Sequence, residues 1–414
     1  MTGIEDFAAL EILDCSANDL TTLDVTNNLS LKILNCYANS IDALDITNNT
    51  NLQRLNIAGN DISALDLSNN NDLEYLNIYI NNFTSIDVSN LTELNFLRTS
   101  YNDIGTLDIS NNPLLDSLYC EASDLSILDL SNCPDLLVLD CSTNNLSALD
   151  VTNLSSVELI VCWENNIGAI DISNCTVLEA FFCNDNNLSA LDVTANASLK
   201  YLRFEDNNIP LIDSTNNTLL EILKCSNNLL SSLDLTNNLE LNTLECASNN
   251  LTELDVSGNP LIYVVRCQDN SLTCLNVSNG NNLGMYDGGF DCTGNSDLNC
   301  IEVDDPSHSE VSWFSIPPFA EYSINCENSC SSEGSLITPE LSNNLQLYPN
   351  PVKNSFQLES YLMIESVRIT DLNGKEIMFF QAQNIYSLEN LLPGSYIVQI
   401  NTPNSRVYKR VLKV

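Results

Sequence analysis

Apolar side chains recur along this chain with a fixed period of 21 residues. In the segment Leu136 to Ser156, LLVLDCSTNNLSALDVTNLSS, they occupy positions 1, 4, 6, 11, 14 and 16 of the unit. A fixed period of this length predicts a solenoid in which each unit forms one coil and stacks on its neighbours. With unchanged spacing, the frame starts at Leu10, Leu31, Leu52, Leu73, Leu94, Leu115, Leu136, Val157, Leu178, Leu199, Leu220, Leu241, Ile262 and Leu283.

Each unit contains two local patterns. Alternating apolar residues at positions 4 and 6 predict a short strand with one buried face, and Asn at position 9 in twelve of the first thirteen units predicts an amide ladder that satisfies backbone groups. Position 15 is Asp in twelve of those units and position 17 is Ser or Thr in all thirteen, which indicates capping of turn amides. The β-branched run around them favours a second small strand on the far side. Few or no helices are expected.

These positions resemble the leucine-rich repeat, LxxLxLxxNxL, over roughly residues 10–303. The resemblance implies a mostly β solenoid of parallel strands, which we expect to occupy residues 1–303. Residues 304–330, with Asp304, Trp313, Pro317 and Pro318, are expected to cap the open apolar flank of the last coil. Residues 331–344 are rich in Ser, Glu and Asn and are interpreted as a linker.

Residues 345–414 have strand-like alternation and turn signals at Asn373-Gly374 and Pro393-Gly394, which predict a small antiparallel β-sandwich. Four motifs, LYPNP, DLNGK, LPGSY and the basic end KRVLKV, resemble the C-terminal sorting domain of type IX secretion substrates in Bacteroidetes. The resemblance implies that the type IX machinery exports the chain to the outer surface of a Gram-negative cell, usually followed by cleavage of this domain. The residues that carry it are Tyr348, Pro349, Asn350, Pro351, Asn373, Gly374, Pro393, Gly394, Lys409, Arg410 and Lys413.

The amino-terminal residues MTGIEDFAAL lack the basic and apolar regions of a signal peptide. The repeats begin almost at once without an N-terminal cap, so the natural chain is expected to be longer or trimmed. No stretch of the sequence is long and apolar enough to span a membrane.

Charge is distributed very unevenly. Residues 331–414 hold seven acidic and seven basic residues, so residues 1–330 hold the other 48 acidic and seven basic residues and carry the whole net charge of −41. This balance argues against nucleic acid and anionic membranes as partners. It is compatible with basic surfaces or divalent cations.

Thirteen of the sixteen cysteines fall into two groups. Nine occupy core position 6, where we interpret them as buried free thiols rather than a disulfide or metal ladder, since coils about 4.8 Å apart hold Cβ atoms too far apart for disulfides. Those nine are Cys15, Cys36, Cys120, Cys141, Cys162, Cys183, Cys225, Cys246 and Cys267. Cys292, Cys300, Cys326 and Cys330 break the frame and are candidates for disulfides in the cap.

The sequence offers little for catalysis. His308 is the only histidine, and no motif for a metal site, a nucleophile or a phosphate-binding loop is present. The carboxylates are periodic, which indicates a structural role, so we predict no catalytic residues, no cofactor and no metal. Ca²⁺ bridging the Asp column at position 15 is the alternative to local capping.

Aromatic and basic residues are confined to one part of the coil. All seven basic residues of the solenoid lie at positions 2, 3 or 5, and the non-core aromatics of the first thirteen units lie at positions 2, 3, 5, 7 and 8. Exposed aromatics and arginines are typical of recognition surfaces, although aromatics also favour strands. The candidate binding residues, on the concave strand face, are Trp163, Phe182, Tyr201, Arg203, Lys224, Tyr75, Phe96, Arg98 and Tyr119.

The sequence therefore predicts a secreted or cell-surface leucine-rich-repeat protein that binds a protein or glycan through its strand face. Two alternatives remain open. One is a Ca²⁺-stabilised structural surface or matrix protein without a dedicated partner, and the other is an enzyme, which the residue inventory disfavours.

Overall fold

The chain forms two compact units, Met1–Asn328 and Ser329–Val414, each with its own buried apolar cluster. The computed structural model describes residues 3–326, 330, 345–348, 352–360, 364, 366–370, 375–383, 385–392, 394–401 and 406–413. The expected linker, 331–344, and the sorting-motif residues Pro349, Asn350, Pro351, Asn373, Gly374 and Pro393 lie outside the described residues.

One short strand per coil builds a parallel sheet. Strands β1 to β12 are Ile12–Asp14, Ile33–Asn35, Arg54–Asn56, Tyr75–Asn77, Phe96–Arg98, Ser117–Tyr119, Val138–Asp140, Leu159–Val161, Ala180–Phe182, Tyr201–Arg203, Ile222–Lys224 and Thr243–Glu245. Neighbouring strands pair in register, so that position 3 of one coil lies beside position 3 of the next, as Ile12 does beside Ile33. The central residue at position 4 is buried while its two neighbours are mostly half-buried or exposed, which confirms the expected one-faced strand.

The far side of the coil differs from the expectation. Among the described residues of the solenoid, strands occur on the far side only in its last coils and its cap. They are β13 (Glu253–Asp255), β15 (Cys274–Asn276), β17 (Cys300–Glu302) and β18 (Glu321–Ser323). The main sheet ends with β14 (Val264–Arg266) and β16 (Phe290–Asp291), giving fourteen parallel strands.

In the earlier coils, side chains rather than a strand ladder join the far sides. Asn49, at position 19, donates from Nδ2 to the carbonyls of Val25 and Asn28 at 3.0 Å each. Its Oδ1 is buried without a partner. Similar bonds are made by Asn28, Asn70, Asn112, Asn196, Asn217, Asn238 and Asn259. Because these amides already bind the carbonyls of adjacent coils, the second strand is not needed there.

The asparagines at position 9 form the expected ladder. Asn60 accepts a bond from the backbone N–H of Ile41 and donates from Nδ2 to the carbonyls of Cys36 and Ile57. The exception, Ser123, donates its hydroxyl to the carbonyls of Thr99 and Glu121. Each amide thus connects the strand exit of its own coil to the coil before it, as the sequence predicted.

The thiols at position 6 are buried and free. Burial raises the pKa of each of these thiols, that of Cys36 to about 12. Cys133 and Cys175 stand where other coils have the second asparagine, and their Sγ atoms lie 3.8 and 3.6 Å from the carbonyls of Asn112 and Val151.

The last unit start predicted from the sequence is wrong. Leu283 is 82 % exposed, whereas Met285 is buried. An insertion shifts the frame, because β16 pairs Phe290 with Val265, 25 residues earlier, rather than 21. Cys292 consequently falls next to Cys267 in the thiol column, where it is buried and free, so the expectation that it forms a cap disulfide is wrong.

A disulfide and a short helix complete the end of the solenoid. Cys300 is bonded to Cys326, and Cys330 and Cys274, the latter not singled out from the sequence, are also disulfide-bonded. Helix α1, Pro306–Ser312, begins with a proline and is capped by Asp305, which accepts bonds from the N–H groups of the second and third helical residues. Two short 3₁₀ helices, Asn282–Gly284 and Asp287–Gly289, precede this cap, and a third, Ile4–Asp6, lies at the start of the solenoid.

Trp313 follows α1 and covers the final coil. Its ring stacks on Phe290 with 4.5 Å between centroids, and its Nε1 donates to the Met285 carbonyl at 2.9 Å. Tyr322 donates its hydroxyl to the Trp313 carbonyl. The side chain is 1 % exposed and belongs to the solenoid's apolar cluster, so the core ends under this indole.

The second unit is a small antiparallel β module. Its strands are β19 (Leu345–Tyr348), β20 (Ser355–Ser360), β21 (Ser366–Thr370), β22 (Glu376–Gln381), β23 (Tyr386–Ser387), β24 (Gly394–Asn401) and β25 (Arg406–Lys413), in two sheets. Of the sorting-motif residues that are described, Tyr348 ends β19, Gly394 begins β24, and Lys409, Arg410 and Lys413 lie on β25. Phe356 and Tyr386 stack in its core.

Candidate functional site

The sheet of the solenoid exposes the side chains at positions 3 and 5 of each coil, and we call this surface the strand face. In-register pairing places Arg54, Tyr75 and Phe96 in one column and Arg98 and Tyr119 in the other. Because parallel neighbours lie about 4.8 Å apart, side chains in one column are within stacking distance. The sequence-predicted residues of this part therefore come together.

These side chains form a continuous stack. The guanidinium carbon of Arg54 lies 4.3 Å from the Tyr75 ring centroid, and the Tyr75 and Phe96 rings stack with 4.3 Å between centroids and 12° between planes. Phe96 meets Tyr119 at 5.5 Å with a 39° tilt. Arg98 lies 5.5 Å from the Tyr119 centroid and 4.0 Å from that of Tyr79. We call Arg54, Tyr75, Phe96, Tyr119, Arg98 and Tyr79 the aromatic–arginine stack.

The solenoid's other five cations are all paired with glutamates. Four glutamates serve them, and the pairs are Lys32–Glu11 at 2.9 Å, Lys200–Glu179 at 2.9 Å, Arg203–Glu205 at 3.1 Å, Lys224–Glu245 at 3.0 Å and Arg266–Glu245 at 3.4 Å. Among the described residues, Arg54 and Arg98 have no carboxylate within ion-pairing distance. Cationic charge on the strand face is therefore uncompensated only in the aromatic–arginine stack.

The second predicted cluster lies on β9 to β11. Phe182, Arg203 and Lys224 are adjacent in register, with the Arg203 guanidinium 5.8 Å from the Phe182 ring centroid. Tyr201 occupies position 3 and donates its hydroxyl to Glu221 at 3.4 Å. We call Phe182, Arg203 and Lys224 the cation row.

Carboxylates neutralise the cation row from within. Glu205 is largely buried, and burial raises the pKa of its carboxyl while the Arg203 guanidinium acts in the opposite direction. Glu245 lies between Lys224 and Arg266. Trp163, at position 7, lies beyond the strand end and is half-buried. The row thus presents an aromatic surface with balanced charge.

The Asp column on the far side is occupied by local hydrogen bonds. Oδ1 of Asp150 accepts bonds from both the backbone N–H and the hydroxyl of Thr152, at 3.0 and 2.6 Å. The same pattern holds along the column and lowers the pKa of Asp24, Asp45, Asp66, Asp87, Asp108, Asp129, Asp150 and Asp171. Within the described part of the chain, no group of three or more His, Cys, Asp or Glu residues is arranged to hold a metal ion.

Sequence reasoning missed the members of the stack that hold its ends. Arg54, at position 3, begins β3 next to Tyr75 of the following coil, and Tyr79, at position 7, follows β4; neither was predicted from the sequence. The sequence does contain a signal for Arg54. It occupies the same position as Tyr75 one repeat earlier, and such a spacing predicts a cation–π contact between the two side chains. The sequence also could not show which cations have a glutamate 2 or 21 residues away in the correct rotamer.

A concavity of about 230 Å³ opens beside Arg54 on the strand face. Its walls include Ile12 and Ile33 from position 3 and Asp14 and Asn35 from position 5. Asn35 donates to Asp14 at 3.1 Å, which contributes to lowering the pKa of that carboxyl, after the bonds from Ser16. The concavity extends the aromatic–arginine stack toward the first coil.

Solved structures with the same fold include the functional domain of InlJ from Listeria monocytogenes, which includes a cysteine ladder. It is 26 % identical, with a TM-score of 0.63, covering all of this chain and 88 % of that one. An internalin, InlF, from the same organism gives 20 % identity and a TM-score of 0.61, covering 72 % of this chain and 88 % of that one. The plant peptide hormone receptor RGFR1, in complex with RGF2, gives 19 % and 0.56, covering 72 % and 60 %. No curated protein matches the chain in sequence.

Residues 346–414 match the family described as a secretion system C-terminal sorting domain. No helix among the described residues is long and apolar enough to cross a membrane. The remainder of the chain has the parallel coils, the asparagine ladder and the structural relatives described above. The chain is therefore a leucine-rich-repeat solenoid followed in sequence by a secretion system C-terminal sorting domain.

Proposed function

We propose that this protein is exported to the outer surface of a Gram-negative cell or into its surroundings, where the strand face binds a macromolecular partner without catalysing a reaction. The sorting domain supports export. The observation that carries the binding proposal is the segregation of side chains: aromatic and basic residues lie on and beside the strand face, while the far-side Asp and Ser/Thr residues are used in local caps.

Half-buried aromatics beside cations suit a recognition surface. Tyr, Trp and Arg dominate the binding energy of protein interfaces because they bury large areas and retain a polar group for pairing. RGFR1, a plant peptide hormone receptor that shares the fold, is in complex with RGF2. For this chain we propose Trp163, Phe182 and Arg203 as one contact region.

The first prediction tests the face. A Trp163→Ala/Phe182→Ala variant should lose at least about 2 kcal/mol of binding free energy toward a captured partner, as truncation of interface hot spots does. The matched control is Asp150→Asn/Asp171→Asn, which alters the far side but retains the cap, since Asn276 makes the same two bonds to Ser278. Binding is measured by calorimetry after circular dichroism has shown an intact fold.

The opposite result, loss of binding in the Asp pair and retention in the aromatic pair, would place the site on the acidic far side. The structural alternative predicts instead a drop in melting temperature on addition of a chelator, with no partner. Because local hydrogen bonds already hold the carboxylates of the column, we expect the melting temperature to be unchanged by chelation.

A further inference from the structure

Two of the seven solenoid arginines and lysines are held differently from the other five. Arg54 and Arg98 lie on tyrosine rings at 4.3 and 4.0 Å, while the other five cations pair with glutamates. In a unit with 48 acidic residues, two cations without a carboxylate partner are an unusual arrangement. The Nε–H of Arg98 is also buried with no hydrogen-bond partner, which costs stability in the free chain.

The stack presents positive potential to the solvent. Arg54 and Phe96 cover the two faces of Tyr75, so ring edges rather than faces point outward. Ring edges carry the positive part of the aromatic quadrupole, and the guanidinium groups add formal charge. The hydroxyls of Tyr75, Tyr79 and Tyr119 have no partner among the described residues and can donate hydrogen bonds. Every one of these groups favours an anionic acceptor.

We propose that the aromatic–arginine stack binds an Asp or Glu side chain of a protein partner whose surrounding surface is basic. The proposal rests on the proposed function of the strand face and names the chemistry of its partner. An Arg guanidinium binds a carboxylate through two parallel hydrogen bonds, which fixes orientation as well as charge. The concavity of about 230 Å³ beside Arg54 leaves room for the partner's neighbouring side chain against Ile12 and Asp14.

The charge of the whole solenoid favours this partner over the other anionic candidates. A polyanionic glycan would meet the net charge of −41 along its entire length, and only two uncompensated cations would attract it. A neutral sugar ring would need the exposed face of an aromatic ring, and Arg54 and Phe96 cover both faces of Tyr75. A basic protein is attracted by the negative charge of the solenoid as it approaches. A single carboxylate on that protein would then bind Arg54 and Arg98 and fix its position on the strand face.

The test uses the full chain and a phage-displayed library of random dodecapeptides. Peptides recovered by the natural chain should be enriched in Asp or Glu together with Lys or Arg. Arg54→Gln should weaken binding of the recovered peptides at least about tenfold, because a charge-assisted bidentate bond is lost. Arg98→Gln should act similarly, and Arg54→Lys should retain part of the affinity because it keeps the charge.

Lys32→Gln is the matched control. It removes one positive charge from the adjacent coil, but Lys32 is already paired with Glu11, so the dissociation constant should change by less than about threefold. Arg54 is exposed, so its substitution leaves the core intact, and equal melting temperatures confirm that the variants are folded.

Three outcomes overturn the proposal. They are recovery of no peptide or of peptides without acidic residues, equal binding by Arg54→Gln, and binding of uronic or sulfated oligosaccharides that depends on Arg54. Failure of the carboxylate proposal can be distinguished from failure of the proposed function. Peptides without Asp or Glu that require Trp163 and Phe182 for binding would refute the carboxylate ligand but leave the strand face as the binding surface. Peptides that bind every strand-face variant equally refute the proposed function as well.

Discussion

At the scale of single residues, the Asp at position 15 shows how a repeated carboxylate becomes structural. Asp129 accepts the backbone N–H of Ser131, and burial is negligible, so the hydrogen bonds account for its lowered pKa. The charges of Asp108 and Asp150 oppose that shift. The column therefore tolerates like charges in adjacent coils because each carboxylate is held by its own turn.

The lowered pKa values predict a specific response to acid. A carboxyl whose pKa is lower in the folded chain contributes stability above its ordinary value of 3.8, and this is lost as pH falls through the folded pKa. We expect the natural chain to lose more stability between pH 5 and pH 3 than an Asp129→Asn/Asp150→Asn/Asp171→Asn variant, which keeps the cap but cannot titrate. Urea unfolding at the two pH values measures the difference. Equal losses would mean that these carboxylates do not contribute.

Residue-scale detail was only partly predictable. Position 8 adopts a left-handed backbone in every one of the thirteen regular coils, with φ near +50° even for Ile80 and Thr143. Such residues normally avoid this region. The residue types that tolerate it, Gly, Asn and Asp, fill only five of the thirteen positions, so the side chains gave no consistent signal. The asparagines at position 19 were overlooked because Leu91, Cys133, Leu154 and Cys175 interrupt them, whereas position 9 is nearly uniform.

At the scale of elements, each coil is stabilised because its buried side chains pack against the side chains at the same positions of the adjacent coils. Cys120, Cys141, Cys162 and Cys183 are consecutive members of the thiol column, each fully enclosed between coils. Burial raises the pKa of each of these thiols. These cysteines therefore pack like small apolar side chains, and only a small fraction of their thiols is ionised to the reactive thiolate.

Thiol chemistry tests this column. The native chain should react slowly with a thiol reagent. In denaturant without reductant it should release twelve reactive thiols, the number that are free in the structure. Reduction should raise the count to the sixteen of the sequence, because four cysteines are disulfide-bonded. A count below twelve before reduction would mean that disulfides form within the column.

The sequence predicted the elements where the period is strict and failed where it breaks. The first-strand sheet and its register follow from leucine spacing alone. The last coil could not be placed, since Leu283 preserves the spacing by coincidence while Met285 fills the core. Three of the four disulfide-bonded cysteines, Cys300, Cys326 and Cys330, were identified from the sequence. Cys274 was missed because it keeps its place in the coil and so gave no irregularity to notice.

For the whole molecule, the net charge lies in one of the two units, whereas each unit has its own buried apolar core. Residues 1–330 carry the entire net charge of −41, whereas residues 331–414 are neutral. The buried cluster of the first unit extends from Leu13 to Trp313, and that of the second unit from Val352 to Val411. Because the tail adds no net charge, removing it leaves the self-repulsion of the solenoid almost unchanged.

The division predicts that the solenoid folds without its sorting domain. Both tryptophans of the chain, Trp163 and Trp313, lie in the first unit, so indole fluorescence reports on the solenoid alone in the full chain and in residues 1–330. All four disulfide-bonded cysteines are retained in the shorter chain. We expect the fluorescence-detected melting temperatures to agree within about 2 °C, a shift that corresponds to about 1.4 kcal/mol for a unit of this size. A larger decrease would show that residues 331–414 stabilise the solenoid core, and the sorting domain would then be part of one cooperative fold.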